Sequence, residues 1–122
     1  MSRVVHFEMA GDDPERMAKF YSYTFGWKVQ KWEGPTDYWL VITGEDGTPG
    51  INGGFGRRRK PSEGTTNTIE VDDAKAVVVA VEKNGGKVVN ALHPIPGVGW
   101  QAYCEDTEGN VFGIHQNDPN AK

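Results

Sequence analysis

One order of elements is written twice along this chain: a strand with alternating apolar residues, an acidic helix cap, an amphipathic helix, a glycine stop and three further strand signals. Residues 3–9 alternate, placing Val5, Phe7 and Met9 on one face and Val4, His6 and Glu8 on the other, as a half-buried strand requires. Asp12 or Asp13 then caps a helix with Pro14 in its favoured first position, Met17, Phe20, Tyr21 and Thr24 at helical spacing, and Gly26 as the stop. Strand signals follow at 27–32, 38–43 and 50–55, separated by turn-rich segments. After a basic stretch the order recurs: a strand at 65–71, Asp72 or Asp73 as cap, a helix at 74–84, Gly85-Gly86 as stop, and strands at 87–92, 99–104 and 111–116. The spacing is roughly 60 residues, which predicts two pseudo-symmetric halves rather than a solenoid of many small repeats. His6-Phe7-Glu8-Met9 parallels Thr68-Ile69-Glu70-Val71, and Gly26-Trp27-Lys28-Val29 parallels Gly85-Gly86-Lys87-Val88.

The order and spacing of several strings resemble one known family. His6-Phe7-Glu8-Met9, Asp12-Asp13-Pro14-Glu15-Arg16, Phe20-Tyr21 and Phe25-Gly26-Trp27 are similar to the opening module of vicinal oxygen chelate proteins, the glyoxalase/bleomycin-resistance type. Glu70-Val71-Asp72-Asp73, Gly85-Gly86-Lys87-Val88 and the run from Asp106 to Gly113 resemble the second module. The resemblance covers residues 3–117. It implies an α+β fold in which two tandem βαβββ modules form a curled mixed sheet, a cup with the helices outside and a small-molecule ligand within. One domain is expected over residues 1–122, with module one at about 3–56, a basic linker at about 57–64 and module two at about 65–117. The resemblance also implies a homodimer and, in metal-dependent members, one ligand on each of four strands. Those four positions fall on His6, near Gly54, on Thr66 and on Gly113, and only His6 is a competent ligand.

Strand parity gives the lining of such a cup independently, because residues opposite the apolar face point away from the helices. The set is His6, Glu8, Asn52, Gly54, Thr66, Thr68, Glu70 and His115. One reading of His6, Asn52, Thr66, Thr68, Glu70, Glu8 and His115 is ligand binding in a metal-free groove, with no cofactor. The enzyme reading uses Glu8 or Glu70 as general base on a carbonyl compound, or a divalent metal held by His6, His115 and Glu8 or Glu70. A third reading is an interaction module that pairs through strand edges or aromatics. Trp32, Tyr38, Trp39 and Trp100 are read as core or sheet-edge packing, or as aromatic walls for a planar ligand.

Composition narrows the partners. A formal net charge of −4 disfavours non-specific nucleic-acid binding. Cys104 is the only cysteine, so neither an intrachain disulfide nor a cysteine zinc cage is possible, and the thiol reads as buried and inert. No stretch reaches the roughly 20 apolar residues of a membrane span, and no signal-peptide core is present at the start, so the expected location is cytoplasmic. The basic run Arg57-Arg58-Arg59-Lys60 reads as a solvated linker, with an anion clamp or a dimer contact as alternatives.

Overall fold

The computed structural model describes residues 2–122. Two βαβββ modules are present, making an α+β fold: β1 (Arg3–Gly11), α1 (Pro14–Phe25), β2 (Lys28–Lys31), β3 (Tyr38–Ile42) and β4 (Asn52–Arg57), then β5 (Thr65–Glu70), α2 (Ala74–Lys83), β6 (Lys87–Ile95), β7 (Gly99–Glu105) and β8 (Val111–Asn117). The chain forms two compact units, one comprising His6–Thr65 and the other Thr66–Lys122 with the residues up to Val5. Among the described residues no helix is long and apolar enough to cross a membrane.

In the unit His6–Thr65, β1 runs parallel to β4, and β4, β3 and β2 follow as an antiparallel series. Alternation decides which face is covered. Trp39, Val41 and Phe55 are buried, and Phe7, Met9, Val29, Trp27 and the helix residues Met17, Ala18 and Tyr21 pack on them. Tyr21 lies flat against Trp27, with centroids 4.9 Å apart and planes 8° from parallel. The expected helix stripe is thus corrected at Phe20, which is 56% exposed. Its ring meets Tyr21 edge-on, while the inward stripe runs through Met17, Ala18 and Tyr21. Trp39 is a core residue, which settles its part in the aromatic question. Asp13 is the cap, accepting from Arg16 N at 3.1 Å, and Gly26 closes α1 in the left-handed conformation at φ 75°.

The unit containing Thr66–Lys122 repeats the plan: β5 is parallel to β8, and β8, β7 and β6 are antiparallel neighbours. Val71, Ala74, Cys104 and Ile114 form its core, with Ile69, Val77, Val78, Val81 and Phe112 packed around them. Asp73 is the cap, accepting from Ala76 N at 3.1 Å. Burial pushes the Cys104 thiol above its ordinary pKa, in keeping with an inert core sulfur.

Two expectations shift, the bounds of β4 and the setting of Arg58. β4 begins at Asn52, after Gly50 at φ 139°, and extends to Arg57. Within the basic run, Arg57, Arg59 and Lys60 are exposed, and Arg58 alone is half-buried. Arg57 closes β4, and Arg58 is a staple: its N–H donates to Gly11 O at 2.8 Å, its Nε to Asp12 at 3.0 Å, and its other guanidinium nitrogens to the Glu63 and Ala10 carbonyls. Arg59 pairs with Glu63 at 2.7 Å.

Candidate functional site

The structure also corrects the internal alignment of the two modules. The caps Asp13 and Asp73 stand 60 positions apart, and the ladder pairs Glu8 with Gly54 as it pairs Thr68 with Gly113. His6 therefore corresponds to Thr66 and Glu8 to Thr68, two residues from the alignment of His6 with Thr68 that the sequence suggests. A slip of two keeps every side chain on its own face, so alternation alone does not reveal it.

In the unit His6–Thr65, the face turned away from α1 carries His6 and Glu8 of β1, Asn52 and Gly54 of β4, and Tyr38 and Leu40 of β3. Tyr38 organises it. Its hydroxyl lies 2.8 Å from His6 Nε2. The same hydroxyl stands directly over Gly54: a Cβ on residue 54 would come within 1.8 Å of it. Glycine at 54 is thus the condition for the phenol to reach His6. Burial foremost, and then the charge of Glu8, push the Tyr38 pKa above its ordinary value, so the phenol keeps its proton at neutral pH. Trp32 meets Tyr38 edge-on at 6.3 Å and walls this side of the face. Asn52 Oδ1 accepts from Thr43 N at 2.9 Å, which fastens the end of β3 to β4.

In the unit containing Thr66–Lys122, the corresponding face carries Thr66, Thr68 and Glu70 of β5 with Gly113 and His115 of β8. Thr66 is half-buried. Thr68 is buried, and its hydroxyl has no hydrogen-bond partner among the described residues. A Cβ on residue 113 would lie 3.1 Å from that hydroxyl and 3.4 Å from the Tyr103 ring. Glu70 and His115, cross-strand neighbours, are joined through Asn117: the Asn117 amide donates to Glu70, and His115 Nε2 lies 3.0 Å from Asn117 Oδ1. Trp100 donates to Asp118 at 3.0 Å, so it anchors the chain end that follows β8.

Of the residues that parity selects, His6 and Glu8 share one unit with Asn52, while Thr66, Thr68, Glu70 and His115 share the other. Sequence reasoning left Tyr38 open between packing and a ligand wall, and missed Asn117 as a member of these faces. Both had a signal. Trp39 and Val41 alternate as core residues, which turns Tyr38 to the opposite side, and Asn117 has the parity of His115 once β8 is extended by one residue.

Sequence comparison now identifies the frame. A model of the Glyoxalase/Bleomycin resistance protein/Dioxygenase superfamily matches residues 3–114. The chain belongs to this superfamily. A glyoxylase-like domain-containing protein from Didymella fabae is 37% identical over 112 residues, covering 88% of each chain. Among solved structures, a hypothetical protein from Bacillus halodurans C-125 superposes with a TM-score of 0.73 at 16% identity, over 99% of this chain and 98% of that one. Methylmalonyl-CoA epimerase from Mycobacterium tuberculosis does so at 0.68 and 14%, over 94% and 87%. At these identities the structural likeness is one of fold.

Metal-dependent members of the superfamily hold a divalent ion on four strand positions, and the residues of this glyoxalase-like chain do not fit one there. His6 shares its Nε2 with Tyr38, Gly54 lies beneath the phenol, Thr66 is a hydroxyl, and Gly113 has no side chain. Among the described residues, no three His, Cys, Asp or Glu side chains are grouped so as to hold a metal ion.

Proposed function

We propose that this superfamily member binds a small organic molecule on the polar faces of its sheets without the four-ligand metal centre. The observation that carries the reading is the Tyr38 hydroxyl, seated over Gly54 and hydrogen-bonded to His6. A phenol in that place supplies what a metal-free site needs, a polar group that can donate or accept, held at a fixed point by its partner. Leu40 and Trp32 add apolar surface beside it. That combination suits an uncharged ligand with a carbonyl or hydroxyl oxygen, because the phenol can donate to or accept from such an oxygen and the apolar surface beside it disfavours a bare charge.

The test is a screen of uncharged carbonyl- and hydroxyl-bearing fragments by backbone amide chemical-shift mapping on the full chain. Binders are expected to perturb His6, Glu8, Tyr38 and Leu40, and Tyr38→Phe is expected to weaken them about tenfold, the loss of one directed hydrogen bond. Binders that shift only other surfaces, or that bind Tyr38→Phe equally well, would count against the reading.

A further inference from the structure

The three-residue chain in the second module fixes a tautomer. An ionised carboxylate only accepts hydrogen bonds, so the group that Asn117 turns toward Glu70 must be its amide nitrogen. The Asn117 carbonyl oxygen is then left facing His115, 3.0 Å from Nε2. An oxygen acceptor demands a hydrogen on that nitrogen. His115 is therefore the Nε2–H tautomer, and in the neutral ring Nδ1 carries the lone pair. Nδ1 has no hydrogen-bond partner among the described residues. Room for the ring is built in: a Cβ on Gly99 of the adjoining strand would lie 2.9 Å from His115 Cε1 and 3.0 Å from Nε2.

We propose that His115 is a base held in one tautomer, its Nδ1 offered to an acidic hydroxyl of the bound molecule, with Asn117 and Glu70 as positioning residues. The ligand class is a phenol, enol or hydroxamic acid. In the transfer, the ligand O–H bond breaks, its electron pair stays on oxygen, and the proton forms a new N–H bond at Nδ1. Nothing is oxidised or reduced. The imidazolium that results keeps its Nε2–H on Asn117, and the Glu70 carboxylate beyond it stabilises the positive charge at one remove. This reverses the roles that sequence suggests for the second module, where Glu70 is the candidate base. The proposal rests on the metal-free reading in one respect, that Nδ1 meets an organic ligand rather than an ion.

The experiment is long-range proton–nitrogen correlation spectroscopy on the full chain labelled with nitrogen-15 histidine, His115 being assigned by its absence in His115→Gln. The metal content of the same sample is measured, so that failure of the metal-free reading is seen separately. Wild type is expected to show a single Nε2–H tautomer for His115. Asn117→Leu and the conservative Glu70→Gln, whose amide can present either end to Asn117, are each expected to give a mixture. Addition of 4-nitrophenol is expected to move Nδ1 toward its protonated position in wild type, with affinity about tenfold weaker in Asn117→Leu. An Nδ1–H or averaged tautomer in wild type would overturn the proposal. So would a tautomer that neither variant changes, or an Nδ1 signal indifferent to 4-nitrophenol.

Discussion

The two modules share a backbone plan and differ in what they lay across the same glycine. Gly54 in β4 and Gly113 in β8 occupy matching positions, opposite Glu8 and Thr68 respectively. Over Gly54 lies the Tyr38 hydroxyl, reaching across to His6. Beside Gly113 stand the Thr68 hydroxyl and the edge of Tyr103, and His115 lies two residues further along β8, tied through Asn117 to Glu70. The first module closes His6 against a phenol, whereas the second turns His115 by an amide and leaves a ring nitrogen without a partner among the described residues. The strands supply equivalent positions, and the side chains placed there decide the chemistry.

The largest expected effects would show whether the two cores are equally well built. Phe55→Ala empties the centre of the first module, where Phe55 is fully buried, and is expected to cost about 3–5 kcal/mol in urea unfolding. Ile114→Ala in the second should cost about 2–5 kcal/mol. A cost below 1 kcal/mol for either would break the symmetry of the two cores.

Next comes the glycine comparison itself. Gly54→Ala drives a methyl into the Tyr38 hydroxyl and is expected to destabilise by about 1–3 kcal/mol, more than Gly113→Ala, whose nearest neighbours lie at 3.1 and 3.4 Å. In a Tyr38→Ala background the cost of Gly54→Ala should fall sharply, and the double-mutant cycle measures that coupling. Equal costs for both glycines, or no coupling, would contradict the placement of the phenol.

A smaller effect separates the modules by pH. Tyr38 has a folded-state pKa raised above its ordinary 10.0 by burial and by Glu8. The stability this contributes is fully present below pH 10.0 and is lost as pH rises from there toward the folded-state pKa. Wild type should therefore lose stability above pH 10 more steeply than Tyr38→Phe, as denaturant midpoints across pH 9–11 would show. Parallel curves would mean that the phenol is as readily ionised folded as unfolded. Least of all, Asp13→Ala and Asp73→Ala should cost about 1 kcal/mol each and equally, since both carboxylates accept from the third residue onward at 3.1 Å.

Much of this was legible in the sequence because the informative signals are local. Alternation in 3–9 and 65–71 correctly turned Phe7, Met9, Ile69 and Val71 to the helices, and acidic caps marked the start of both helices, with Pro14 at the first position of α1. What escaped depends on pairing between distant strands. That Tyr38 reaches Gly54 follows from the register of β3 on β4, which pairs Leu40 with Gly54 and Tyr38 with Gly56, and no local pattern encodes it. Glu70 finds Asn117 for a similar reason, across 47 positions. The two-residue offset between the modules escaped because a period of two is blind to it. Arg58 looked like a solvated cation because its three acceptors, at Asp12, Ala10 and Glu63, come from segments that meet only in the fold.

The central claim is that Tyr38, rather than a metal, occupies the heart of the first module's polar face. The most direct test is elemental analysis of tag-free protein, purified without chelator and then incubated with Zn, Ni, Mn or Fe and dialysed. The account predicts far less than one equivalent of any of them in wild type. Near-stoichiometric metal that disappears in His6→Ala would contradict it, and would mean that His6 leaves Tyr38 to serve as a ligand.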